Sequence, residues 1–388
     1  MDNQRKKFRI GVVTTTRAEY GLLNSVVHRI MKDDDMELDL LVSGTHLSEE
    51  HGYTVKEIED DGVPISHRIP IMVSGNDAYA VSQTMANAIL RFADCFRSDR
   101  PDMLVIIGDR TEMLAIACAA MNERIPMAHY SGGEVTAGAV DDCIRHSLSK
   151  MSYLHFTSTD IYRRRVIQLG EDPSRVFNVG ALGLENVINA PLLKEDVIRA
   201  ECGIPQDMPY AVVTFHPVTL EENTAKYQTA CLCDAMSSRN GYFYIITKSN
   251  ADVGGDTVNK ILEKYANESK NVKIVDSLGM VKYLSAVKYA AFVMGNSSSG
   301  VAEAPLFGTP SINIGDRQKG RILSGTVINC DPQTKAIVRA VDKTVEVQRI
   351  PSDIFGDGTA SEQIISIIKK TLKAGTIDLK KGFYEKNF

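Results

Sequence analysis

Residues 103–150 read MLVIIGDRTEMLAIACAAMNERIPMAHYSGGEVTAGAVDDCIRHSLSK, and the rest of the chain is read outward from them. Met103–Ile107 and Ile125–His129 are continuous apolar runs without alternation, the pattern of strands buried on both faces in a parallel sheet. Between them Thr111–Asn122 has helical spacing, so the stretch is a strand–helix–strand unit. Four acidic residues, Asp109, Glu134, Asp141 and Asp142, fall just past the strand ends. In open α/β sheets that edge is where ligands bind. Several carboxylates gathered there point to acid/base chemistry. The plain alternative is that Asp109 and Asp141 only cap helices, as Asp often does.

The same alternation extends to both sides. Phe8–Thr15 reads as the first strand and is followed by a helix whose apolar face is Leu22, Leu23, Val26, Val27 and Ile30. Arg17 falls in the turn between them. Glu37–Val42 is a strand, Ala80–Phe96 a helix, and Tyr153–Thr157, 160–169 and Val176–Val179 complete a first half. That order predicts an α/β fold with a doubly wound parallel sheet. Around 180–209 the pattern loosens among Gly and Pro, and then it restarts. Tyr210–Phe215, Tyr242–Thr247, Val272–Val275, Ala291–Met294, Ser311–Ile314 and Val327–Asn329 read as strands, with a helix over 222–238. Two domains follow, 1–180 and 181–360. The sequence leaves open whether the last helix, Ser361–Ala374, returns to the first.

At 388 residues the chain exceeds one ordinary core, which agrees with two domains. A formal net charge of -5 favours neither nucleic acid nor a membrane surface as partner. Seven scattered cysteines show no zinc spacing and no disulfide framework. The leading MDNQRKKFRIGVV reads as a polar approach to a strand rather than a signal peptide, and no apolar run reaches bilayer length. A cytoplasmic location is expected.

The second half carries a further motif, VMGNSSSGVAEAPLFGTPSINIGDR, residues 293–317. A Gly/Ser-rich turn, Gly295–Gly300, enters a short helix at 301–306. Backbone N–H groups and hydroxyls in such a turn suit phosphate oxygens. Glu303 is placed to accept ribose hydroxyls, and Arg317 and Arg321 supply counter-charges. The alternative is a serine-rich helix start with no ligand. There is no Walker loop and no GxGxxG after the first strand, which disfavours a P-loop nucleotide or a nicotinamide. His216 closes its strand at another carboxyl end. There it is either a structural hydrogen bonder or, with Arg17 and the serine turn, a diphosphate contact. His129 is equally well read as a core residue. His146 lies four residues after Asp142, on the same helix face, and can orient that carboxylate.

Taken as a set, TTRAEY, GDRTEM, HYSGGE, DDCIRHSLSKMSYLHFTST, FHPVT and GNSSSGVAEAPLFGTPSINIGDR resemble the hydrolysing UDP-N-acetylglucosamine 2-epimerases of sialic-acid biosynthesis. The match is in register over nearly the whole chain. The resemblance implies a glycosyltransferase-B arrangement: two Rossmann-like domains with a cleft that closes over a UDP-sugar. It also implies homodimers or homotetramers, with no cofactor and no required metal. The implied reaction is anti elimination of UDP across C1–C2 to a 2-acetamidoglycal, followed by water addition that releases the 2-epimeric sugar. By resemblance Arg17, His216, Ser297, Ser298, Glu303 and Arg317 hold UDP, with His146, Ser299 and Arg321 in support. Asp109, Glu134, Asp141 and Asp142 act on the sugar.

Two departures stand out. Ser131 occupies a position where many relatives carry a catalytic glutamate, which leaves Glu134 as the best available base. Leu22 stands where non-hydrolysing relatives place a lysine, which favours the hydrolysing branch. The first reading of the substrate is UDP-N-acetylglucosamine, with N-acetylmannosamine released. The alternative is UDP-2,4-diacetamido-2,4,6-trideoxyglucose, on the way to legionaminic acid. Other function classes on the same fold are a glycosyltransferase, which needs an acceptor site, and a non-catalytic nucleotide-sugar sensor. The clustered carboxylates argue against both.

Overall fold

The computed structural model describes residues 7–75, 77–135, 140–217, 224–249 and 255–385. They form two compact units: the chain up to Ile188 together with the chain from Phe355 on, and Asn189–Ile354.

The first unit holds seven parallel strands: β1 (Phe8–Thr14), β2 (Met36–Ser43), β3 (His67–Ile69), β4 (Met103–Ile107), β5 (Met127–Tyr130), β6 (Leu154–Thr157) and β7 (Val176–Asn178). Its helices are α1 (Arg17–Lys32), α2 (Val55–Asp60), α3 (Ala78–Ser98), α4 (Thr111–Asn122), α5 (Asp141–Met151), α6 (Asp160–Gln168) and α7 (Leu182–Ile188). The strand order is β3-β2-β1-β4-β5-β6-β7. Every residue of β4 is buried, because helices cover both faces, and this is why its sequence shows no alternation. One face packs Ile10, Val12 and Val105 against Leu23, Val27 and Ile30 of α1; the other packs Leu104 and Ile106 against Phe92, Phe96 and Ile116.

The second unit repeats the plan with six parallel strands: β8 (Tyr210–Thr214), β9 (Phe243–Thr247), β10 (Val272–Val275), β11 (Phe292–Gly295), β12 (Ser311–Ile314) and β13 (Val327–Cys330), in the order β10-β9-β8-β11-β12-β13. Its helices are α8 (Glu195–Cys202), α9 (Thr224–Ser238), α10 (Gly255–Glu268), α11 (Gly279–Tyr289), α12 (Ser299–Ala302) and α13 (Thr334–Lys343), and α14 (Ala360–Ala374) then belongs to the first unit. In each sheet the order reverses once, between β1 and β4 and between β8 and β11. The carboxyl ends at such a reversal part into a crevice, the usual ligand place in doubly wound folds.

Several boundaries differ from the sequence reading. The strand expected at Ile125–His129 lies at Met127–Tyr130. Ile125 instead closes the end of α4 through a bond from its N–H to Ala120 O at 2.9 Å. The next residue is Pro126, which has no N–H to give to a ladder. β3, three residues at the sheet edge, carried no readable pattern. Residues 181–188 and 355–360, read with the second domain, here lie in the first unit. The Glu185 carboxylate on α7 accepts from Ser361 N and Oγ on α14 at 3.1 and 2.9 Å, and Asn186 donates to Gly21 O on α1 at 2.8 Å. No helix among the described residues is long and apolar enough to cross a membrane.

Candidate functional site

In the first unit two of the sequence-predicted carboxylates, Asp109 and Asp142, meet at a side chain the sequence reading did not single out, Arg145. It lies on α5, 3 % exposed. Its Nη2 donates to the Asp109 carboxylate, and its Nη1 donates to Asp142 at 2.7 Å and to the Glu134 carbonyl at 2.9 Å. One buried guanidinium thus ties the turn after β4, the turn after β5 and the first turn of α5. Such forked, charge-assisted bonds fix orientation as well as position. The spacing of three residues from Asp142 on one helix face signals that single pair; the contacts to Asp109 and Glu134 arise only on folding.

Helix capping is not what these acids do. The N-cap of α4 is Arg110 and that of α5 is Val140, and neither helix has a side-chain cap bond. Asp141 opens α5, partly exposed. The Glu134 carboxylate accepts from Ser158 Oγ at 3.3 Å. Its turn depends on Gly133, with φ +78° and an added Cβ only 2.2 Å from Tyr162 O on α6. Ser131 itself takes φ +76°, uncommon outside glycine, in the same turn. His146 lies one turn along α5, and its Nδ1 is buried without a hydrogen-bond partner among the described residues. Residues 136–139 of the GGEVTAGAVDD stretch lie outside the described residues.

His129 is fully buried, with Nε2 3.0 Å from Gly108 O. Burial pushes its pKa down to about 3, so it stays neutral and serves as a strut under the Gly108 turn. Arg17 opens α1 with its side chain 73 % exposed, 3.0 Å from Glu57 Oε2. It is a cation within reach of solvent at the carboxyl end of β1.

In the second unit the turn after β11 is built against the end of β8. Gly295 has φ +139°, and a Cβ there would sit 1.9 Å from Thr214 O, so only glycine fits. Asn296, also not singled out from the sequence, accepts from His216 N at 2.7 Å and donates to His216 O at 2.8 Å. Its own carbonyl accepts from Gln318 Nε2 at 2.9 Å and Arg317 Nη1 at 3.2 Å. The expected residues His216, Ser297, Ser298 and Arg317 therefore surround one junction. His216 Nδ1 is 3.1 Å from Ser249 Oγ. Ser298 N-caps α12 without a side-chain cap bond, and Ser299, largely buried, begins the helix. Glu303 Oε2 is buried without a partner among the described residues, a polar atom with bonding capacity to spare. Arg321 is exposed further along the same segment. The residues of 218–223 and 250–254, next to His216 and Ser249, lie outside the described residues.

Chemically, the first unit offers carboxylates held by one guanidinium at a sheet reversal. The second offers backbone N–H groups, hydroxyls and an arginine at another. Away from both, Asp39, His67 and Asp99 bring ligand atoms within 4.8 Å of one another. Arg9 already fills that place, 3.1 Å from Asp39 and ion-paired with Asp99.

The family model described as UDP-N-acetylglucosamine 2-epimerase matches residues 28–369. The GDP/UDP-N,N'-diacetylbacillosamine 2-epimerase (hydrolyzing) of Campylobacter jejuni is 42 % identical over 84 % of this chain and 85 % of its own. The polysialic acid biosynthesis protein P7 of Escherichia coli is 35 % identical over 96 % of both. The crystal structure of the Neisseria meningitidis UDP-GlcNAc 2-epimerase bound to UDP-GlcNAc superposes with a TM-score of 0.76, covering 94 % of this chain and 100 % of its own. At 15 % identity that likeness carries the fold alone, glycosyltransferase-B-like with two parallel-sheet α/β domains. Through the family model and these relatives, the chain belongs to the hydrolysing UDP-N-acetylglucosamine 2-epimerase family.

Proposed function

We propose that the protein hydrolyses a UDP-2-acetamido sugar with inversion at C2, releasing UDP and the free 2-epimeric sugar. The observation that carries this reading is the Arg145 cluster: Asp109 and Asp142 and the Glu134 carbonyl share one buried guanidinium at the reversal of the first sheet. The C2 proton is weakly acidic, so C1–O cleavage runs ahead and builds oxocarbenium character at the ring. Arg17, His216, Ser297, Ser298, Arg317 and the amides of the serine turn stabilise the departing diphosphate, with Ser299 and Arg321 in support. Glu303 takes the ribose. Asp109, Glu134, Asp141 and Asp142 stabilise the cation, remove the C2 proton and return one during hydration, and His146 orients the α5 carboxylates. The assembly is a homo-oligomer.

Between the two substrates, the 42 % identity to a relative named for diacetylbacillosamine favours UDP-2,4-diacetamido-2,4,6-trideoxyglucose. UDP-N-acetylglucosamine is the second reading, supported by the family model's description. The test is a proton NMR time course in deuterated water with each sugar alone and no acceptor. Release of UDP with a C2-deuterated, manno-configured sugar supports the reaction, and the faster tube identifies the substrate. UDP retained until an acceptor is added would mean a transferase. Binding without turnover in both tubes would mean a sensor.

A further inference from the structure

Next to the Arg145 cluster, at the same reversal between β1 and β4, lies a second pair of carboxylates to which the reaction above assigns nothing. Glu19 (6 % exposed) and Glu112 (4 % exposed) face each other across Thr15. Glu19 Oε2 accepts from Thr15 N at 2.6 Å, Thr16 N at 3.2 Å and Thr15 Oγ1 at 2.8 Å. Glu112 Oε1 lies 3.3 Å from the same Thr15 Oγ1 and accepts from Arg110 Nε at 2.5 Å, while its Oε2 accepts from Thr111 Oγ1 at 3.1 Å. Glu19 Oε1 is buried without a partner among the described residues.

A hydroxyl has one hydrogen to donate. Thr15 can serve only one of the two carboxylates, so with both ionised the other contact is lone pair against lone pair. Two buried negative charges would also share one cation, Arg110. A proton on Glu19 Oε1 removes one of the two buried charges and leaves Oε2 free to accept its three donors, while Glu112, the remaining anion, keeps Arg110 and Thr111 as its own donors. The charged groups facing Glu19 are Glu112 and Arg110 on the α4 side. From the Gly44–Leu47 turn, whose Thr45 N–H bonds Thr15 O, the titratable group is His46, held neutral by burial and bonded to Thr14 and Thr54. Burial, opposed by the Thr15 hydrogen bonds and reinforced by Glu112, raises the Glu19 pKa to about 7.

This pair reaches the turn around Asp109 through one ion pair: Arg110 is bound to Glu112, whose Oε1 shares Thr15 Oγ1 with Glu19. On the other side of Asp109, Gly108 faces Glu19 without a bond to it; a Cβ there would lie 3.9 Å from Oε1. We propose that Glu19 is a positioning residue for the reaction: as the neutral acid it holds the Gly108–Arg110 turn, and so Asp109, in working register, and on ionising it releases that turn. The proposal rests on the epimerase reading above.

Its test compares the parent with Glu19→Gln, an amide that still accepts the Thr15 and Thr16 N–H groups but cannot ionise. kcat and KM are measured on the accepted UDP-sugar from about pH 5.5 to about pH 9, with infrared difference spectra over the same steps. In the parent, kcat falls at least about threefold as pH rises through neutrality while KM changes little, and the carbonyl band of a protonated carboxyl disappears over the same span. Both changes are absent in Glu19→Gln, whatever the height of its plateau. Superimposable profiles, or a parent with no such band to lose, overturn the assignment. Should Glu19→Gln not fold, Glu112→Gln removes the like charge and must move the inflection to lower pH; an unmoved inflection overturns it. Absence of turnover in the parent on either sugar counts against the reaction itself, and the positioning role falls with it. Turnover with coincident profiles removes the Glu19 role alone.

Discussion

Arg145 is the residue on which most of the first unit's site rests. Replacing it with methionine keeps the buried stem but leaves Asp109 and Asp142 without their shared cation. Loss of one partner from a buried ion pair is costly; because both carboxylates are about a quarter exposed, we expect about 2–3 kcal/mol of destabilisation rather than the full amount. Turnover should fall by ~100-fold or more, since the acids lose their orientation. Arg145→Lys keeps a charge but not the fork, and should lie between. Thermal denaturation and kcat check both, and full activity in Arg145→Met would remove the cluster from the mechanism. Asp109→Asn and Glu134→Gln belong to the same scale. Each should retain UDP binding by calorimetry while turnover drops by ~100-fold or more, because the diphosphate contacts are assigned to other residues. If both kept full activity, the acid/base assignment would be wrong.

At the scale of elements, the turn after β11 shows what the sequence can announce. A Gly/Ser run after an apolar strand marks a backbone that must pass close to another, and Gly295 does so against Thr214 O. Gly295→Ala should therefore push β11 away from β8, costing ~3 kcal/mol or more by backbone strain and overlap. UDP affinity should fall at least about tenfold, since a strained junction moves His216 and the serine turn together. Calorimetry with UDP reads this, and unchanged affinity would separate the turn from the ligand. The long, strongly patterned elements were legible for a similar reason. β4 and α4 lie where their apolar patterns put them, because both faces of β4 and one side of α4 are packed in the core. β3 was not legible, since three residues at a sheet edge form no period. The carboxylates of the first site were legible as residues past strand ends, but their partner was not. Arg145 reads as an ordinary helical charge until folding buries it among groups from two other turns. Asn296 likewise hid among serines, because its role lies in bonds to a residue eighty positions away.

For the molecule as a whole, the buried titratable groups divide unevenly between the units. Seven of the eight histidines lie in the first unit, and only His216 lies in the second. Burial pushes His129 down to about 3 and His46 to about 4, and it lowers His155 as well. A histidine with a depressed folded pKa contributes stability that is fully present above its unfolded value of about 6.5 and is lost as pH falls toward the folded value. At about pH 5 the loss is of the order of 2 kcal/mol each for His129 and His46. Glu19 acts in the opposite sense. Its raised pKa means that its contribution is complete below about 4.5 and is lost as pH rises to about 7, so acidification restores part of what the histidines remove. Glu171, lowered to about 2 because hydrogen bonds from His155, Lys150 and Lys381 outweigh its burial, weakens only below about 4.5. Among the described residues of the second unit, the large shifts are upward ones of Lys248 and of thiols and tyrosines such as Cys233, Cys330 and Tyr210, which do not titrate in acid. Calorimetry at about pH 7.5 and about pH 5 should therefore show the first unit's transition moving down by ~3 °C or more while the second unit's stays nearly in place. Glu19→Gln removes the opposing term, so its first transition should fall further than the parent's over the same pH step. Equal shifts of both units in the parent, or a smaller fall in Glu19→Gln, would contradict the neutral burial of His46 and His129 or the raised acid at Glu19, respectively.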